Sequence, residues 1–189
     1  MAVAETLVRE LTLARDRTWR LIADFAGDEW TFQPGPGMAH VLWVCGHLAV
    51  MQHDLVHLRC FGVGVLEDAY VAHFRDSASI PSATVHAYPA VETVLNTMDA
   101  THVTTCERVR AMTDDGLAQP AYAADGHTPH PHYRDRRGAV AHCIHREVIH
   151  AGLIAQVRRA LGKAQLRELH RQPIQPPATG AAPHMDHDV

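Results

Sequence analysis

Four stretches of this chain repeat apolar residues every third or fourth position, a spacing that leaves long amphipathic helices, packed on one another, as the natural fold. In the first, Leu7, Leu11, Ala14, Leu21, Ile22 and Phe25 recur at that spacing with Arg9, Arg15, Asp16 and Arg20 between them. It should close near Ala26-Gly27-Asp28, because glycine takes the left-handed conformation that ends a helix. Pro34-Gly35-Pro36-Gly37 then breaks the chain, and a proline-free stretch over residues 39–60 carries the stripe Val41, Leu42, Cys45, Leu48, Met51 and Leu55. The third run, from Val91 through Met98 and Cys106 to Met112, stops at Asp114-Asp115-Gly116. The fourth spans residues 134–161, with Gly162 as its stop and Arg158, Arg159 and Lys163 near its negative dipole end. Residues 61–89 hold glycines and prolines and read as a long crossover with one short helix around Leu66 to Phe74. The pattern predicts an all-α fold, a four-helix bundle with a long crossover connection, in one domain over residues 1–163. Residues 164–189 form a His- and Pro-rich tail, expected to be disordered beyond Pro173.

Composition removes several classes of function. A formal net charge of −4 offers no basic face to offset the repulsion of a phosphate backbone, so nucleic acid is not an expected partner. No apolar run reaches the roughly 20 residues that a membrane-spanning helix needs. The start Met1-Ala2-Val3-Ala4-Glu5 lacks the basic residues and apolar stretch of a signal peptide, and the expected location is cytoplasmic. Cys45, Cys60, Cys106 and Cys143 lie far apart and form no C-x-x-C pair, which argues for buried thiols over a zinc ribbon or redox motif.

The 16 histidines are the compositional oddity. His127, His130 and His132 sit in a Pro/Gly-rich loop, and His170, His184 and His187 sit in the tail. Inside a bundle, ligand sites form where inward polar groups of different helices meet, since burying such groups without partners is costly. Two places qualify: His47, in the apolar run Trp43-Val44-Cys45-Gly46-His47-Leu48-Ala49, and the cluster His142-Cys143-Ile144-His145-Arg146-Glu147-Val148-Ile149-His150. At about 100° per residue, Glu147 and His150 share one face, one turn apart, in the Glu-x-x-His arrangement that presents two ligands from one helix. His142 lies two turns below His150 on nearly the same side, roughly 12 Å along the axis, able to line the same pocket but not to hold the same ion. His145 points more than about 90° away, toward solvent or another helix.

Trp30-Thr31-Phe32-Gln33-Pro34-Gly35-Pro36-Gly37, leading into Trp43 and Gly46-His47-Leu48-Ala49, resembles the second-helix signature of the DinB/YfiT-like superfamily. His150-Ala151-Gly152, followed by Val157-Arg158-Arg159-Ala160-Leu161-Gly162, resembles the last-helix signature of the same family, in the expected order. The resemblance covers roughly residues 1–163. It implies a four-helix bundle, often a homodimer, holding a divalent metal (zinc, nickel or similar) on one histidine of the second helix and two of the last in an H-x-x-x-H arrangement. His47 matches the first of these and His150 the third, but the middle position is Arg146. A guanidinium is a permanent cation, unable to ligate a metal and repelling one nearby. Three arrangements are then open. Glu147 can replace the lost ligand, giving a two-histidine, one-carboxylate set suited to iron, zinc or nickel. His145 or His142 can be brought in by a π-bulge. Or the metal is gone, and Arg146 pairs with Glu147, another acid or an anionic ligand.

With a metal, the resemblance implies a metal-dependent enzyme, a thiol S-transferase or hydrolase acting on a small electrophile, with a low-molecular-weight thiol such as bacillithiol or mycothiol as co-substrate. His47, Glu147 and His150 are then the metal candidates. His142, Arg146 and Asp54 are the pocket candidates, Asp54 because it lies two turns after His47 on the same face. Without a metal, the alternative is a non-catalytic, small-molecule-binding or stress-response bundle, and Arg146 is the feature that favours it.

Overall fold

A computed structural model describes residues 2–76, 78–123 and 125–165. The described residues form α1 (Val3–Ile22), α2 (Val41–Gln52), α3 (Arg59–Phe61), α4 (Asp68–Phe74), α5 (Val91–Arg110), α6 (Asp114–Leu117) and α7 (Arg136–Ala160). Of these, α1, the α2–α3 rod, α5 and α7 are the four expected long helices, α4 is the expected short one, and α6 is an addition. A five-residue 3₁₀ helix, Gly27–Thr31, follows α1. A π-helix, His53–Leu58, joins α2 to α3, so the second long rod is α-helical at both ends and widened in its middle. The described residues contain no strand, only two isolated bridges, Pro120 with Asp135 and Tyr122 with Pro129, which pin the loop before α7. No helix among the described residues is long and apolar enough to cross a membrane. The tail expected from residue 164 lies outside the described residues from 166 onward.

Local chemistry sets the helix starts. His40 caps α2 with its ring, Nδ1 accepting from the Trp43 amide at 3.1 Å, and the Asp135 carboxylate accepts from the Gly138 amide at 2.7 Å to start α7. Gly62 sits at φ +70°, the left-handed turn that stops the second rod.

Both α1 and α2 pack against α5 and α7, which makes α1/α2 and α5/α7 the diagonals of a four-helix bundle. The crossover brings α4 onto the outer face of α2, so residues 41–50 are buried on every side instead of along one stripe. Gly46 makes that approach possible: a Cβ there would stand 2.5 Å from the Phe74 ring. The bundle interior divides into two apolar clusters. One gathers Leu21, Trp43, Leu48, Phe74, Met98 and Ile154, and the other Leu11, Val56, Val109, Val140 and Cys143. Between them runs a buried polar belt, containing Arg15, Thr18, Gln52, Thr101, His102 and Glu147.

Candidate functional site

The belt explains where Glu147 goes. Its carboxylate accepts from Arg15 Nε at 2.9 Å and Nη2 at 3.1 Å, and from the Thr18 hydroxyl at 3.0 Å, while Arg15 Nη1 donates to the Met98 carbonyl at 2.7 Å. Sequence patterning sets Arg15 on the polar side of α1, yet it is 1% exposed. Its forked guanidinium matches a carboxylate supplied by α7, 132 positions away in the chain. Glu147 therefore reaches toward α1, and both its oxygens are taken. The arrangement in which it replaces the missing family ligand is not the one present.

His47 and His150 do meet across the interior, their ring centroids 4.8 Å apart, and each ring is 3% exposed. Each is oriented by a carbonyl on its Nδ1. His47 Nδ1 lies 2.6 Å from the Phe74 oxygen, and His150 Nδ1 lies 2.7 Å from the Arg146 oxygen. A carbonyl only accepts, so both Nδ1 atoms carry the proton and both Nε2 atoms keep a lone pair. Phe74 ends α4, where carbonyls have no partner within the helix, and the missing side chain at Gly46 lets that end lie against α2. Trp43 stacks on His47 with centroids 4.4 Å apart.

Burial holds both imidazoles neutral. It pushes the basicity of His47 down to about 4, the bond to Phe74 only partly opposes it, and the charges of His150 and Arg146 add to the depression. For His150 burial again leads, the bond to the Arg146 carbonyl opposes it, and the Arg146 cation works with burial. The Arg146 guanidinium is thus close enough to both rings to act on them.

Trp43, Arg146 and His150 border a cavity of about 370 Å³, whose walls also include Met38, Ile149 and Leu153, and His47 lies behind the Trp43 and His150 rings. Three buried polar atoms at or beside this cavity have no hydrogen-bond partner in the protein: Trp43 Nε1, His47 Nε2 and Arg146 Nε. Two are donors and one is an acceptor. Buried polar atoms are nearly always satisfied, so three orphans around one cavity mark a place where a bound molecule completes the bonding.

The other candidates from the sequence fall elsewhere. His142 is half-buried against the Tyr133 ring, with centroids 5.5 Å apart, on the loop preceding α7. His145 is exposed, as its helical phase predicts. Asp54 pairs with Arg75 at 2.8 Å and does not join His47. The π-helix begins at His53, so the α-helical phase used to set Asp54 on the His47 face does not hold there. Sequence reading passed over Arg15, Trp43 and Phe74. A tryptophan four residues before a buried histidine was the one available signal, since helical neighbours at that spacing touch.

A divalent metal fits this set poorly. With Nδ1 of each ring donating to a carbonyl, the Nε2 lone pairs of His47 and His150 suit a metal, but the third family position is a guanidinium and the Glu147 carboxylate is spent on Arg15. Among the described residues, no three His, Cys, Asp or Glu side chains stand together as a metal group.

Comparison with known proteins agrees with the fold. The sequence profile of a family described as the DinB superfamily matches residues 10–154. A crystal structure described as that of the conserved protein of locus from Enterococcus faecalis superposes with a TM-score of 0.62 at 18% identity, covering 86% of this chain and 99% of that one. At that identity the likeness speaks for the fold alone. No curated protein matches the sequence.

Proposed function

The chain belongs to the DinB superfamily, and from that premise we propose that the pocket beside α2 and α7 binds a small polar molecule directly, without a metal, through His47, His150 and Arg146. The observation carrying this reading is the orphaned set: the His47 Nε2 lone pair beside unpartnered Trp43 Nε1–H and Arg146 Nε–H groups, with the His150 ring lining the same cavity. In the family pattern a metal would supply positive charge between three imidazoles. Here Arg146 brings a fixed charge on the protein itself.

A transferase or hydrolase role would need one imidazole to take a proton from a nucleophile. With His47 pulled down to about 4, it is a weak base near neutral pH. Binding is the role that the orphaned donors and acceptor support best, and a thiol-transfer activity is the reading that a proton-transfer assay would have to rescue.

The test is metal analysis of the untagged full chain beside two sets of variants. Zinc carried by the wild type should be the same in His47→Ala and His150→Ala, because any ion held by the many other histidines is indifferent to them. Arg146→His, which provides a third imidazole, should gain close to one equivalent together with a chelator-sensitive melting temperature. Loss of one equivalent from wild type on replacing His47 or His150 would overturn the metal-free reading.

A further inference from the structure

The bonding left open in this pocket is specific enough to select a chemical class of occupant, an inference that rests on the metal-free reading above. Two donors, Arg146 Nε–H and Trp43 Nε1–H, lack acceptors. Because a guanidinium is involved, the acceptor that suits it is a planar anion presenting two oxygens, which is a carboxylate. A carboxylate alone leaves the other half unsatisfied, since His47 Nε2 still needs a donor. The occupant must therefore carry an X–H group close to its carboxyl.

Charge balance selects that group. The site already holds one permanent cation, the Arg146 guanidinium, and each imidazole spends its Nδ1 on a backbone carbonyl. An ammonium would set a second positive charge beside the guanidinium and against the buried His47 Nε2, where an uncompensated charge is penalised. A hydroxyl leaves the carboxylate and Arg146 as a balanced pair. The apolar walls Met38, Ile149 and Leu153 leave room for a short hydrocarbon chain, and about 370 Å³ lies at the small end of ligand pockets.

We propose that the pocket is a site for small 2-hydroxycarboxylates, with the carboxylate on Arg146 and the hydroxyl donating to His47 Nε2. The guanidinium then reads charge and planarity, and the His47 imidazole reads a donor on the carbon next to the carboxyl. The experiment is calorimetric titration of the full chain at low salt with four probes of one carbon skeleton: 2-hydroxybutanoate, butanoate, 2-aminobutanoate and 1,2-butanediol. 2-Hydroxybutanoate should bind at least about tenfold more tightly than butanoate or 2-aminobutanoate, because the loss of one charge-adjacent hydrogen bond is worth roughly that factor. The diol should show no binding. Arg146→Gln should weaken 2-hydroxybutanoate at least about tenfold, and His47→Phe should bring it level with butanoate, each with an unchanged circular dichroism melt to show that the bundle still folds.

Equal or tighter binding of butanoate or 2-aminobutanoate, or binding that survives Arg146→Gln, would overturn this assignment, as would no binding of any carboxylate. Those failures differ from failure of the pocket reading itself. That reading falls only if a metal equivalent is lost on replacing His47 or His150, whichever probe binds.

Discussion

Replacing Glu147 by leucine should be among the most destabilising single changes in the chain, and the loss should vanish if Arg15 is replaced with it. Both groups are withdrawn from water, at 1% and 2% exposure. In the wild type Arg15 makes three bonds, two to Glu147 and one to the Met98 carbonyl. Removal of the carboxylate strands a permanent cation with one neutral acceptor. Two charges about 4 Å apart attract by ~4 kcal/mol at an effective dielectric constant near 20, and breaking buried pairs from one side costs about 3–5 kcal/mol. In the double variant Arg15→Met/Glu147→Leu no charge remains to be desolvated. Only the Met98 carbonyl and the Thr18 hydroxyl lose partners, at roughly 1 kcal/mol each, and new apolar contact offsets part of that. Urea unfolding followed by circular dichroism should therefore place Glu147→Leu ~3–5 kcal/mol below wild type and the double variant within ~2 kcal/mol of it, with m unchanged. A single-variant loss under ~1 kcal/mol, or a double variant whose loss equals the sum of the two singles, would refute the claim that the pair is a mutually dependent buried ion pair.

Acid should unfold the protein well above the usual carboxylate range. Burial pulls His40, His47 and His57 down to about 4 and His102 to about 3, against 6.5 when exposed. Between those limits the unfolded chain binds more protons, so stability is full above pH ~6.5 and falls as pH drops toward 4, by about 1.4 kcal/mol per unit for each ring. Together these losses rival the whole stability of a domain, and a far-UV signal unchanged down to pH ~4 would contradict this. His53 Nδ1 accepts from the Val65 and Leu66 amides at 3.0 Å each, and burial, opposed by Asp54 and Asp68 and joined by Arg75, keeps its ring below the ordinary imidazole range. Protonation at Nδ1 removes that acceptor, so hydrogen exchange at these two amides should lose protection at pH ~5 relative to amides of α5; equal protection factors at pH ~8 and ~5 would exclude the idea. Gly46→Ala should cost more than ~2 kcal/mol because its Cβ would strike the Phe74 ring, whereas Gly152→Ala, with open space around it in α7, should stabilise by ~0.5–1 kcal/mol in thermal melts.

Periodicity alone located the four long helices, because a 3.6-residue apolar repeat is a local property that any window of the chain reveals. His47 was singled out by its apolar setting and His150 by the Glu-x-x-His spacing, the family resemblance paired them, and the structure sets those rings 4.8 Å apart. Arg146 was legible too, as the position that breaks the family's ligand pattern.

What the chain could not declare locally depends on pairs distant in sequence. Arg15 reads as surface by pattern and becomes core because Glu147 arrives from α7, and Glu147 reads as a ligand candidate until Arg15 and Thr18 claim it. Asp54 was placed by α-helical phase, and the π-helix from His53 ends that phase. The Nδ1 bonds that fix both tautomers come from the carbonyl oxygens of Phe74 and Arg146, and a backbone oxygen leaves no trace in residue identity. Sequence thus determined where the long helices run and which apolar residues line them, since that periodicity is set by local helical geometry. Which inward polar groups satisfy one another and which stay open for a ligand was decided only by tertiary structure, because a hydrogen bond or ion pair exists only once both partners have been brought within about 3 Å.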